Sequence, residues 1–280
     1  MRLLIAGAAG MLGTDIQAAA LAADHEVVAS SRAELDISDR DAVSQQVAAA
    51  SPDAVINCAA YTNVDGAESD PDGAAAVNAA GAGYLAEAAT AAGAWIVHVS
   101  TDYVFDGTKT SPYVESDPTG PRSVYGATKL LGERSVALAA SDNHTIVRTS
   151  WLFGTAGPCF PATMLRLAAD RDSLTVVDDQ VGCPTFTGHL APVLVALATV
   201  ARVPGQLHVA ASGECSWFEF AREILARAGA DATVLPCSTA EFPRPAHRPA
   251  FSVLRSERGA PVLPDWHDAL DQYLALRVAG

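Results

Sequence analysis

Apolar residues in the first half of the chain fall into short, nearly unbroken runs, each followed by small or polar residues and then by a longer Ala-rich stretch. The segments at 2–6, 26–30, 53–57, 95–99 and 144–148 have strand length, and the apolar run at 2–6 predicts a buried strand. The stretches between them predict helices up to about Ala22, from about Asp39, from about Pro71 to Ala92, and from Val124 to Ala140. Strand and helix in regular alternation predict an α/β protein built on a Rossmann-type doubly wound parallel sheet. Beyond Ser150 the pattern loosens. Helices are expected at 162–170, 187–201, 217–228 and 265–277, with a strand near Thr175.

The first strand runs directly into Gly7-Ala8-Ala9-Gly10-Met11-Leu12-Gly13 and then into a helix. A strand, a glycine-rich turn and a helix N-terminus in that order aim backbone N–H groups at a pyrophosphate. Gly7 suits the tight turn, Gly10 the close approach of phosphate and Gly13 the packing of helix on strand. The second strand ends in Ser30-Ser31-Arg32, where a site for NAD would carry an acid for the ribose 2′-hydroxyl. A hydroxyl and a guanidinium suit a 2′-phosphate better, so NADPH is the expected coenzyme and NADH the alternative. Asp36, followed by Ile37, lies near the adenine or caps the next helix. Ala59 and Ala60 close the third strand with side chains small enough for a coenzyme backbone to approach, and Tyr61 beside them is a further candidate contact. Residues 1–150 are thus expected to form an NAD(P)-binding domain. Residues 151–280 are expected to form a smaller, mainly substrate-binding lobe, with the segments near Thr175 and Leu190 returning to the first domain.

Composition narrows the function classes. A net charge of −14 argues against non-specific binding of nucleic acid or anionic membranes. Five cysteines without a C-x-x-C pair suit a reduced, cytoplasmic chain, and seven histidines without ligand spacing argue against structural zinc. No run approaches the roughly 20 apolar residues of a membrane span. The opening apolar run is short and interrupted by three glycines, unlike a signal peptide.

The chemistry concentrates at Tyr125-Gly126-Ala127-Thr128-Lys129. Four residues apart on a helix, a phenol and an ammonium share one face at roughly 6 Å. The positive charge is expected to lower the tyrosine pKa from about 10 and make it a general acid for an alkoxide formed by hydride transfer. Thr101, at the end of the fourth strand, offers a hydroxyl to the same oxygen. Asn78, among small residues of a helix, must be hydrogen-bonded and either serves the scaffold or braces the site.

With these elements in place the chain resembles the extended short-chain dehydrogenase/reductases, and more closely the dTDP-4-dehydrorhamnose reductase family. The resemblance is carried by N-C-A-A-Y-T-N-V-D (57–65), V-S-T-D-Y-V-F-D-G (99–107), Y-G-A-T-K-L-L-G-E (125–133), R-T-S-W-L-F-G (148–154), D-D-Q-V-G-C-P-T (178–185) and R-P-A-F-S-V-L (248–254). It implies Tyr125 as acid, Lys129 as its partner and ribose anchor, and Thr101 as the third hydroxyl. Asp102, Tyr103, Phe105 and Trp151 would face the sugar or nucleotide of a dTDP-sugar substrate. The segment bearing Arg244, His247 and Arg248 is expected at the substrate end, where Arg248 grips the diphosphate unless it pairs with a surface carboxylate. Some relatives have Gln where this chain has Met11. Some are described as magnesium-linked dimers with acidic residues at the interface, so magnesium is a possible further ion with its ligands unassigned, and monomer and homodimer both stay open. The implied activity is NADPH-dependent reduction of a C4 ketone. The rivals are another nucleotide-sugar 4-ketoreductase, an epimerase, and a non-catalytic coenzyme-binding regulatory subunit.

Overall fold

In a computed structural model describing residues 1–279, six parallel strands form the central sheet. Its first five strands are β1 (Arg2–Ala6), β2 (Glu26–Ser30), β3 (Ala54–Asn57), β4 (Trp95–Thr101) and β5 (His144–Thr149), and Gly205–His208 adds the sixth. The spatial order is Gly205–His208, β5, β4, β3, β1, β2. Every residue of β3, β4 and β5 is buried, so these strands are covered on both faces.

Successive residues of β1 serve opposite cores. Leu3 and Ile5 face α1 (Met11–Ala22) and the Thr187–Thr199 helix, while Leu4 and Ala6 face the other side. That second layer contains α2 (Arg40–Ala50) and, after the short α3 (Val64–Ser69) and α4 (Pro71–Ala75), the helices α5 (Ala82–Ala91) and α6 (Val124–Ala140). The order reverses between β1 and β3, which opens a crevice at their carboxyl ends where ligands of this fold bind.

The later chain divides differently from expectation. The helix near Leu190 packs on the first sheet, but Ser173–Val177 pairs with Thr233–Cys237 in a separate two-stranded sheet. The strand that does join the main sheet is Gly205–His208, beside β5. A third core, built from Phe153, Phe186, Phe220, Trp266 and Tyr273, supports this lobe. The helix expected over 71–92 is interrupted by a π-helical turn at Ala76–Gly81 that contains Asn78. No helix among the described residues is long and apolar enough to cross a membrane.

Candidate active site

The glycine loop leaves β1 at Gly7, whose φ of +81° belongs to the left-handed region. A side chain there would also strike the Ala59 nitrogen at 2.6 Å, so Gly7 joins the tight turn to the loop after β3. Gly13 is pressed onto the backbone of Gly7 and Ala8, as expected for helix packing on strand, whereas Gly10 is far less crowded. No side chain caps α1. The first-turn N–H groups of Met11, Leu12 and Gly13 therefore lack intrahelical acceptors and suit an anion. Leu12 is buried and offers only backbone. These uncapped donors, beside a turn that has no room for a side chain at Gly7 or Gly13, fit a pyrophosphate.

The segment after β3 is fixed by Asn78. Its side chain accepts from Tyr61 N–H at 2.8 Å and donates to Tyr61 C=O at 3.2 Å and to Thr128 Oγ1 at 3.1 Å. The π turn thus places one buried amide between the Ala59–Tyr61 segment and α6, which resolves Asn78 as the brace of the site. Ser31 and Arg32 follow β2, with Arg32 exposed. Asp36 accepts from Ser38 N–H and Oγ, and the carboxylate that caps α2 belongs to Asp39, so the expectation that Asp36 caps this helix is corrected. Ile37, expected to touch coenzyme, has its side chain in the core against the π turn and leaves only backbone for a ligand.

Thr101 ends β4 and caps a one-turn 3₁₀ helix, Asp102–Val104, by accepting from Tyr103 N–H at 3.2 Å. Its hydroxyl donates to Asp102 Oδ1 at 2.9 Å, while Asp102 Oδ2 is buried without a partner. Burial raises Asp102 to about 6, against the pull of the Ser252 and Thr101 hydroxyls. Gly126 lets α6 press on the Tyr103 carbonyl, and Ser123 caps that helix by accepting from Gly126 N–H at 3.1 Å. Tyr125 is thereby fixed in the first turn of α6, its ring edge-on to Tyr103 with centroids 5.5 Å apart.

Tyr125 and Lys129 depart from the electrostatics expected of them. Burial pushes the Tyr125 phenol up to about 12, opposed by the Thr101 hydroxyl and reinforced by Asp102. The Lys129 ammonium does not offset this. It donates to the Val99 carbonyl at 2.6 Å, and burial lowers it to about 8 despite the opposing pull of Glu133. The lowered tyrosine pKa is therefore corrected: the protein stabilises a neutral phenol.

Two further expectations change. Phe105, expected to face substrate, is 1% exposed, stacks on Tyr113 with centroids 4.3 Å apart and lies under Arg148. It is scaffold. Arg248 forks onto Asp65 at 2.9 and 3.1 Å, and Arg244 meets the same carboxylate at 2.9 Å. These contacts hold Asp65 down to about 2, with the Arg248 hydrogen bond the chief cause. Two guanidinium groups on one carboxylate leave the cluster with a net positive charge.

Trp151 has a left-handed φ of +47°, a strained conformation for an aromatic residue. Its indole lies against Gly182 and stacks on Trp217 with centroids 3.5 Å apart. Trp217 follows the capping residue Ser216 at the start of its own helix. Nothing in the sequence separates it from an ordinary amphipathic position. No group of three or more His, Cys, Asp or Glu side chains suited to a metal occurs among the described residues.

The family model described as RmlD substrate binding domain matches residues 1–278. A dTDP-4-dehydrorhamnose reductase of Mycolicibacterium smegmatis is 46% identical over 281 residues, covering 98% of this chain and 85% of the relative. The crystal structure of a dTDP-4-dehydrorhamnose reductase from Clostridium acetobutylicum superposes with a TM-score of 0.95 at 42% identity, over 99% of this chain and 100% of that one. The Bacillus anthracis dTDP-4-dehydrorhamnose reductase in complex with NADP gives 0.95 at 38% identity, over 98% of this chain and 99% of that one.

Proposed function

The chain belongs to the RmlD substrate-binding-domain family, and from that premise we propose that it reduces the C4 ketone of dTDP-4-dehydro-L-rhamnose to dTDP-L-rhamnose with NADPH. The observation that carries this reading is the convergence of Thr101, Tyr125 and Lys129 where β4 meets α6, beside the glycine loop. Contacts link the two parts: Cys58 Sγ lies 3.0 Å from the Ala6 carbonyl and feels the Lys129 charge, while Lys129 is bonded to β4.

When bound, the reduced nicotinamide supplies a hydride to the ketone carbon. Tyr125 gives its phenolic proton to the C4 oxygen as negative charge develops there, so that C=O becomes CH–OH. A phenol held near 12 is fully protonated at neutral pH, the state a donor requires. Thr101, freed from Asp102, turns its hydroxyl to the same oxygen and fixes its direction. Lys129 keeps N–H donors beyond the one given to Val99, enough for a ribose hydroxyl. The bare first turn of α1 holds the pyrophosphate, with Ser31 and Arg32 at the 2′-phosphate. Asp102, Tyr103 and the Trp151–Trp217 pair line the sugar side, and Arg248 with Arg244 supplies cations for the substrate diphosphate.

The test is incubation of the purified protein with NADPH and dTDP-4-dehydro-L-rhamnose, following coenzyme absorbance and the sugar product. Oxidation of one coenzyme per sugar reduced to dTDP-L-rhamnose is expected. Interconversion of sugar epimers without net coenzyme oxidation would replace the reading with an epimerase.

A further inference from the structure

The end of β2 is tied to the glycine loop: the Ser30 carbonyl accepts from Gly7 N–H at 2.9 Å and from Ala8 N–H at 3.1 Å. The chain then turns at once. Leu35 N–H returns to the Ser31 carbonyl at 2.9 Å, and the Leu35 side chain is buried. That turn brings Glu34 back over the strand end, where its Oε2 accepts from Ser31 N–H at 2.8 Å. Glu34 and Arg32 are both exposed. The linear sequence sets Ser31 and Arg32, but no acid, directly after β2. Folding returns a carboxylate to this spot from three residues further on.

In doubly wound folds the end of this strand meets the adenosine ribose. A carboxylate holding one N–H keeps acceptor capacity for a ribose hydroxyl and repels a phosphate. Arg32 in the same turn does the reverse. We infer that Glu34 and Arg32 form an opposed selector for the coenzyme, with Glu34 accepting from the 2′-hydroxyl of NADH and Arg32 taking the 2′-phosphate of NADPH. Both coenzymes are then usable, and Glu34 is the residue that holds back preference for NADPH. The inference rests on the reading that this crevice binds a nicotinamide coenzyme.

The experiment measures dissociation constants of NADPH and NADH by coenzyme fluorescence, without sugar, for the wild type, Glu34→Gln and Arg32→Ala. Gln keeps an amide oxygen for Ser31 N–H, so the turn survives while the charge is lost, and an unchanged melting temperature checks this. Glu34→Gln should tighten NADPH about three- to fivefold and weaken NADH by a similar factor, in the range of exposed charge interactions. Arg32→Ala should move the ratio the other way. An NADPH-to-NADH affinity ratio within twofold of wild type in Glu34→Gln overturns the selector and leaves the reductase reading standing. Binding of neither coenzyme by the wild type overturns both.

Discussion

Lys129 and Arg148 are both buried cations near the carboxyl end of β4, yet their surroundings differ in kind. Arg148 meets both oxygens of Glu133, at 2.9 and 2.7 Å, and the Ser100 hydroxyl donates to the same carboxylate at 2.5 Å. Its guanidinium also lies 5.1 Å over the Phe105 ring. Lys129 has one hydrogen bond, to a backbone carbonyl, and no carboxylate in ion-pair contact among the described residues. A charge forked onto a carboxylate is committed to the scaffold. A buried charge left with a single carbonyl has its pKa lowered, and its remaining donors stay available to a ligand. Glu133, one turn beyond Lys129 on α6, pairs with Arg148 and so leaves the remaining Lys129 donors open.

Three substitutions sharpen this contrast. Tyr125→Phe removes the proton donor and leaves both cations in place. It should lower kcat by about 10² to 10⁴ with coenzyme affinity unchanged, measured by steady-state turnover and coenzyme titration; near wild-type turnover would remove Tyr125 from proton delivery. Arg148→Met strands a buried Glu133 carboxylate and should cost about 3 to 5 kcal/mol of stability in urea unfolding. A loss under about 1 kcal/mol would place this pair with weak surface bridges. Arg248→Ala should have the smallest effect, because Asp65 already engages that guanidinium. The sugar-nucleotide KM should rise about three- to fivefold with coenzyme affinity unchanged, and an unaltered KM would make Arg248 a fastening of the chain alone.

What was legible in the sequence is what short-range spacing determines. The strand segments of the first half show in the short runs between Ala-rich helical stretches, and the glycine loop shows in its spacing directly after β1. Tyr125 and Lys129 share a helix, so their common face followed from four residues of separation. The illegible part is long-range or depends on desolvation. Asp65 meets Arg248 across 183 positions, which no local pattern encodes. Gly205–His208 is short and half polar, so its place at the sheet edge comes from pairing with β5 and not from its own periodicity. A resemblance carries no burial, and Phe105, 1% exposed, lies under Arg148. The direction of the tyrosine shift is illegible because spacing shows the nearby ammonium and not the burial of the phenol. The place of Glu34 is illegible because a turn, not a strand, returns it to the end of β2.

The most direct test of the central claim, that an unpaired buried cation serves the chemistry while the paired one serves the fold, is Lys129→Met followed for both turnover and unfolding. Removing a buried charge with a single carbonyl partner should leave stability unchanged or raised, while turnover falls by about 10² or more. The wild type supplies the companion measurement in its pH profile. Lys129 is charged below its lowered pKa and neutral above it, so kcat/KM should fall as pH rises through about 8. A Lys129→Met protein that keeps its turnover, or that loses as much stability as Arg148→Met, would contradict the account.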